Sequence, residues 1–522
     1  MERTEFSKDD SLIIKGLAIL AIMLHNLFRW VAPSTGENEF GFAAHTVHKF
    51  AELLTSQPAE FINIIFSYLG HFGVQIFILI SGYGLTKSML DKPQSWAAFM
   101  GSRLKKIYPL LIVAILGFTI ANLIIYKQMP AFDAWREIGR KLLLIHTLIP
   151  GSGLSVCGPW WFFGLIVQLY VFFPILLSLT QRYGTKILAG ATLLSYIWIF
   201  TAIYNYDHFN GELLAMQNVP GHLPEFCFGI WLAFTPRKFS RWWLVPALTV
   251  FVLGNFYQPF YPFTFLSVSV MFVIIYNIVR EPIMRFAAVR RPIAFLGSIS
   301  MFLFAVHGFL RSPFINLATN HSTAIGLLAS LLFFATSIIV AIAVRPIYKL
   351  IVKLFDKINS PVWLPKANKY LMGGALLLLG FVGYHQATSL IQTDIMLTQN
   401  TETINCKFIT NNVVDVDTLY SSILRIRLGH CGLIKVSVDA EVDTQGTEKE
   451  QNPLLVTELG NIFWDKFELP QTDGYSKIHY ENTIYTSFFD RLKRKTLKIY
   501  FWNHKSSSMV FRNTEVKISY QK

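Results

Sequence analysis

The stretch Phe61–Thr86, FINIIFSYLGHFGVQIFILISGYGLT, decides the fold. Its 26 residues contain no Asp, Glu, Lys or Arg, and about 20 mostly apolar residues suffice for a helix to cross the hydrocarbon core of a bilayer. Comparable stretches lie on both sides of it. Spans are read near 11–30, 61–86, 108–126, 160–180, 185–203, 221–235, 242–258, 262–279, 293–312, 323–344 and 370–390. A further apolar run at 142–149 is too short to span and is expected at the membrane interface. The whole composition agrees with this reading. The 522 residues are 53% hydrophobic and 15% charged, against roughly 25% charged in an ordinary soluble domain. With 45 Phe, 21 Tyr and 12 Trp, a soluble chain of this size would expose large apolar patches. Collagen-like, disordered and disulfide-scaffold classes are excluded, because Gly and Pro are ordinary in number and there are four Cys. The fold class is an α-helical polytopic membrane protein, with ten core transmembrane helices and an eleventh, 370–390, after them.

Charge then supplies an orientation. Residues 391–522 hold 16 basic and 16 acidic side chains, leaving 30 of the 46 basic and 16 of the 32 acidic groups in the first 390 residues. The net charge of +14 therefore belongs to the membrane part. With the N-terminus inside, 23 of those 30 basic groups fall on the inner side and seven outside, as the positive-inside rule requires. The inner groups are Arg3, Lys8 and Lys15, then Lys87, Lys92, Arg103, Lys105 and Lys106, then Arg182 and Lys186. They continue with Arg237, Lys238 and Arg241, with Arg280, Arg285, Arg290 and Arg291, and with Arg345, Lys349, Lys353, Lys357, Lys366 and Lys369. The eleventh span delivers the neutral tail to the outer side. The first apolar run follows a mixed-charge segment, Glu2–Asp10, so it reads as a retained anchor and not as a cleaved signal. Internal repeats and low-complexity tracts are not visible.

Three regions follow: a membrane domain over 1–350, a cytoplasmic linker and eleventh helix over 351–392, and an extracytoplasmic domain over 393–522. In the tail, Ile423–Leu428, Leu433–Val438, Thr496–Trp502 and Val516–Tyr520 alternate apolar and polar residues, as half-buried strands do. An all-β, sandwich-like domain is expected there. Cys406 and Cys431 lie in this exported region and are a candidate disulfide, or two free buried thiols.

Ionisable groups in hydrocarbon cost several kcal/mol, so each one is a functional candidate. The first span carries Lys15 and His25, followed by Asn26. At about 100° per residue Asn26 stands in line with Lys15, while His25 sits about 80° round and about 15 Å further along. Snorkelling of Lys15 to inner headgroups and a helix-to-helix hydrogen bond from His25 are the structural alternative. The second span carries Ser67, His71 and Gln75 at four-residue spacing, a polar stripe that for Ser67 and Gln75 reads as interhelical glue. His222 and Glu225 open the sixth span at i, i+3, and Ser300, His307 and Arg311 line one side of the ninth. Proton-transfer chemistry and proton-coupled transport both fit so many titratable groups. The run from Ser102 to Pro109 sets Arg103, Lys105 and Lys106 beside the third span. Those cations read either as topology determinants or as a cytoplasmic site for a phosphorylated donor. His45 and His48 have ligand spacing but no evident third ligand, so no metal is expected. The chain lacks a G-x-S-x-G elbow, an H-E-x-x-H helix, a P-loop and a Gly-Asp-Ser esterase motif.

Taken together these positions resemble the integral-membrane acyltransferase 3 family. The run Lys15-Gly16-Leu17-Ala18-Ile19-Leu20 to His25 is similar to its first-helix motif. Gly73-Val74-Gln75-Ile76-Phe77-Ile78-Leu79-Ile80-Ser81-Gly82-Tyr83 is similar to its G-V-x-x-F-F-x-x-S-G-F segment. Arg103-Leu104-Lys105-Lys106-Ile107-Tyr108-Pro109 is similar to its basic loop, and Trp160-Trp161-Phe162 with Tyr170 and Phe173-Pro174 to its W-F-L…Y-x-x-F-P helix. Leu223-Pro224-Glu225-Phe226 and Gly297-Ser298-Ile299-Ser300…His307 resemble two later blocks. The resemblance covers about residues 10–350, six blocks in order.

The resemblance implies an O-acyltransferase of a bacterial inner (plasma) membrane. It would take an acyl group, most often acetyl, from cytoplasmic acetyl-CoA or another acyl-CoA to a hydroxyl of a surface or exported carbohydrate. Arg103, Lys105 and Lys106 would meet the CoA phosphates. Lys15 would hold the donor or stabilise charge near its carbonyl. His25 would deprotonate the acceptor hydroxyl or carry the acyl group itself. Glu225 and His307 would orient the acceptor or relay its proton, and Asn26, His71, Trp161, His222 and Arg311 would line its site. The partners expected are a carbohydrate acceptor and membrane lipid, with no nucleic acid. A proton-coupled transporter or flippase of a glycan or lipid-linked intermediate is the alternative reading.

Overall fold

The computed structural model describes residues 5–149, 151–204, 215–235, 240–319, 323–357, 401–407, 412–414, 424–428, 433–444, 453–459, 463–485, 495–502 and 509–521. The chain divides into two compact units, one holding the helices and the other the β-strands from Thr401 onward. The helices are α1 Lys8–Phe28, α2 Ala44–Ser56, α3 Phe61–Leu69, α4 Gly73–Asp91, α5 Trp96–Ile125, α6 Phe132–Leu142, α7 Trp161–Tyr183 and α8 Lys186–Tyr204. They continue with α9 Val219–Phe234, α10 Leu244–Phe256, α11 Thr264–Arg285, α12 Ala287–Leu310, α13 Ser312–Ala318, α14 Thr323–Ala343 and α15 Arg345–Lys357.

Seven described segments are long and apolar enough to cross a membrane: α1, Pro58–Asp91, α5, Gly158–Tyr183, Gln258–Arg285, α12 and Ala324–Leu354. They coincide with the first four and the eighth to tenth spans read from the sequence. The fifth, sixth and seventh are helical too, as α8, α9 and α10 with 19, 16 and 13 residues. At 1.5 Å per residue α9 and α10 fall short of a full hydrocarbon core. Asn218 and Pro220 open α9, and Pro246 stands in the first turn of α10 after a 3-10 turn at Arg241–Trp243. The eleventh span, and the inner charges Arg3, Arg237, Lys238, Lys366 and Lys369, lie outside the described residues. The apolar run at 142–149 forms no crossing helix. It folds into the protein and buries His146 and Thr147 in a 3-10 turn.

α1 is the organising helix. Its start is fixed by a reciprocal cap, in which the Asp10 amide donates to Ser7 Oγ at 3.1 Å and the Ser7 amide donates to Asp10 Oδ2 at 2.7 Å. Asp10 is itself buried, and it ties α1 to α11 by accepting from Arg280 Nε at 2.8 Å and from Tyr276 OH at 2.7 Å. Along its length α1 packs on α12 backbone to backbone. A Cβ at Gly297 would stand 1.8 Å from the Leu12 carbonyl oxygen, and one at Gly16 would stand 2.0 Å from that of Ile293. Only glycine permits this approach, the small-residue packing of membrane helices.

The β unit holds β1 Thr401–Lys407, β2 Asn412–Val414, β3 Leu424–Leu428, β4 Leu433–Asp443, β5 Leu454–Leu459, β6 Phe463–Glu468, β7 Ser476–Tyr485, β8 Lys495–Trp502 and β9 Met509–Gln521. One antiparallel sheet runs β1-β9-β4-β7 with β2 also on β9, and the other runs β3-β8-β5-β6. Inward residues of both sheets share a core, with Val436 and Val438 of β4 and Phe511 of β9 against Leu455, Leu497 and Phe501. The period-2 pattern of the tail thus forms the sandwich it predicts. Of the candidate disulfide, Cys431 lies outside the described residues.

Candidate active site

His25 occupies the last turn of α1 and is buried. The second span does not run straight past it. A 3-10 turn, Gly70–Phe72, separates α3 from α4, and a Cβ at Gly70 would fall 2.7 Å from the Cβ of His25. The missing side chain lets the turn close on His25, and the His71 ring stands edge-on to the His25 ring with centroids 5.6 Å apart. His25 Nδ1 lies 3.1 Å from the Phe66 carbonyl oxygen. A carbonyl only accepts, so Nδ1 carries the proton and Nε2 the lone pair. Nε2 is buried and has no hydrogen-bond partner.

The residue next to it ties in a cation. Asn26 Oδ1 accepts from Arg311 Nη1 at 3.1 Å, from just beyond α12. Arg311 also borders a cavity of about 290 Å³ whose walls include Phe118, Asn122, Tyr126, Cys157 and Ser312. Burial pushes the Cys157 thiol up to about 12, so it offers no thiolate nucleophile at neutral pH. His307 of α12 is fully buried. Its Nδ1 donates to the carbonyls of Leu303 and Phe304 at 2.9 and 3.1 Å, leaving Nε2 without a partner.

A chain of ring contacts joins His71 to the second titratable pair. His71 packs on Phe72, Phe72 on Phe265, and Phe265 stacks on His222 with centroids 5.6 Å apart. Trp161 covers the other side of His222 at 5.4 Å and touches Phe40. His222 Nε2 donates to the Met216 carbonyl at 2.7 Å, so the 2.8 Å contact between Nδ1 and Glu225 Oε1 holds one shared proton. Glu225 is fully buried and its Oε2 has no partner. The structure therefore brings His25, Asn26, His71, Arg311, His222, Glu225 and Trp161 into one connected region.

The cationic candidates form a separate group. Lys15 lies ten residues before His25 on α1, about 15 Å away along the axis. Lys106 is within electrostatic reach of both Lys15 and Arg103. The Arg103 guanidinium covers the rings of Phe99 and Tyr170 at 4.9 and 5.9 Å, which gives the aromatic motif of α7 its place. Lys105 lies one residue before Lys106 on α5, half-buried.

Two functional candidates were missed in the sequence. The loop after α1 returns Glu37 and Glu39 to the His25 end. Glu39 Oε2 lies 4.0 Å from His25 Nε2 and 3.8 Å from Arg29 Nη1, while Arg29 also pairs with Glu37. Burial pushes the Glu39 carboxyl up to about 8, against the pull of Arg29, and raises that of Glu37 as well. The Arg29 guanidinium stands beside both acids, a cation where a metal ion would have to sit, and no metal is assigned there. His45 and His48 are on the exposed face of α2, with His48 against Phe256. An acid between two apolar spans reads as a solvated loop residue. The signal that was present is the closeness of Arg29, Glu37 and Glu39 in a short connection.

The helical unit thus holds a buried histidine with a free Nε2 at one end of α1 and a cationic cluster toward the other. The family model described as an acyltransferase domain matches residues 12–345, and the chain belongs to the acyltransferase 3 family. It is a membrane acyltransferase, with a β-sandwich beyond the family's segment. No curated protein and no solved structure matches the chain.

Proposed function

We propose that this protein transfers an acyl group, acetyl above all, from cytoplasmic acyl-CoA to a hydroxyl of a cell-surface or exported carbohydrate. The observation that carries the reading is the tautomer of His25, whose Nε2 lone pair is buried and unpartnered at the end of α1. Such a nitrogen takes a proton from a hydroxyl placed against it, and the oxygen then attacks the acyl carbon. The cations Arg103, Lys105 and Lys106 bind the CoA phosphates as charge-assisted partners. Lys15 guides the pantetheine arm, which spans the distance along α1 to His25. Asn26, Arg311 and the cavity beside them receive the acceptor, and Glu225, held by His222 behind Trp161, orients it or relays its proton. The N-terminus is cytoplasmic and the β-sandwich extracytoplasmic, in a bacterial inner membrane. That orientation follows from the charge distribution.

Mass spectrometry of surface glycan from cells with the wild-type protein and with His25→Ala tests the reading. The wild type adds the mass of one acyl group, and His25→Ala lowers the modified fraction by about 100-fold or more, the contribution typical of a general base. Near-normal modification by a folded, inserted His25→Ala protein would end the mechanism.

A further inference from the structure

His25 Nε2 and Glu39 Oε2 stand at a separation that one bridging oxygen can serve from the side. At 4.0 Å, Nε2 and Oε2 are too far apart to bond directly. A hydroxyl oxygen seated beside the line between them, about 2.8 Å from each, bonds to both. The loop is held on two sides, by Arg29 at the end of α1 and by the turn before α11, where Tyr261 OH donates to the Glu39 carbonyl at 3.3 Å. The charged and titratable groups facing Glu39 are His25 and Arg29 from α1 and its end, Glu37 from the same loop, and Tyr261. His71 stands behind His25, and Arg311 acts on Glu37.

We propose that Glu39 is the general acid of the acyl transfer and His25 its base, with the acceptor hydroxyl bound between them. This rests on the acyl-CoA reading above. The acceptor O–H bond breaks as its proton passes to His25 Nε2, and the oxygen bonds to the acyl carbon. The carbon–sulfur bond then breaks, and the departing thiolate takes the Glu39 proton. Return of the His25 proton to the Glu39 carboxylate resets both groups, so acceptor and acyl-CoA become ester and free thiol with nothing left over. Burial keeps the Glu39 proton in place up to about pH 8, and an ordinary thiol titrates at about 8.5. Acid and leaving group are thereby matched.

The test uses membranes from expressing cells, which carry the native acceptor, given radiolabelled acetyl-CoA across a pH range. Incorporation by the wild type falls as pH rises through about 8, because the acid loses its proton. Glu39→Gln, present at wild-type abundance in the membrane, lowers incorporation on the order of 100-fold and removes the alkaline fall. Glu39→Asp keeps the alkaline fall at a reduced rate, which a residue serving only to hold the loop would not do. Incorporation by Glu39→Gln within about threefold of wild type, or an alkaline fall that persists in it, overturns the proposal. Wild-type membranes that incorporate no label overturn the acetyl-CoA reading, and this inference with it.

Discussion

Of the two ring nitrogens of His25, one is committed to the Phe66 carbonyl and the other is not, and His307 divides its nitrogens the same way. A backbone carbonyl is a fixed acceptor, so in both residues the fold chooses the tautomer and leaves the lone pair on Nε2. At the other end of α1 a charge is used for structure. Asp10 accepts from Arg280, Tyr276 and its own cap, and Asp10→Ala removes three partners at once. We expect that variant to lose on the order of 2 kcal/mol, measured as a lower Tm of the purified protein in detergent, without a change in the pH profile of the remaining transfer. Much of the site is legible in sequence because a histidine or lysine inside an apolar run is conspicuous. His25, His71, His222, Glu225 and His307 all show themselves that way. Glu37 and Glu39 do not, since loop acids ordinarily face water and nothing local says that this loop folds inward.

Helices in this protein meet by leaving atoms out. The α1 and α12 backbones touch at Gly16 and Gly297, and the 3-10 turn reaches His25 through Gly70. Gly297→Ala puts a methyl group on the Leu12 carbonyl, and the helices must separate to admit it. We expect a large fall in the yield of folded protein by size-exclusion chromatography. Gly326→Ala in α14 serves as the control, because nothing stands within 4 Å of the added carbon. It should be neutral or raise Tm slightly, as alanine replaces glycine in a helix. The long apolar helices were legible from length alone. The break at Gly70–Phe72 was not read, although Gly70 and Gly73 flank it, because the apolar run continues through it. The short α9 and α10 were blurred for a related reason: proline and 3-10 turns end them within otherwise unbroken hydrophobic sequence.

For the molecule as a whole, charge and hydrophobicity separate cleanly into a basic membrane part and a neutral sandwich. If the positive-inside count sets the orientation, protease added to the outside of intact cells, or of spheroplasts where an outer membrane intervenes, will remove the β unit and leave a fragment containing α1 to α15. Survival of the full-length chain under conditions that digest an outer-facing control would reverse the topology. The sandwich was legible in its strands, whose alternation survives in the sheet register, while its role was not, because no sequence motif in it carries chemistry. The seam between α1 and α12 bears on the choice between enzyme and transporter. A carrier works by alternating access, in which one set of helices rocks or slides against another. Here the helices bearing His25 and His307 meet main chain to main chain at Gly16 and Gly297, where little room is left for one to slide on the other. Close contact of this kind favours a fixed frame for the two histidines, and under the proposed function the substrates would come to them.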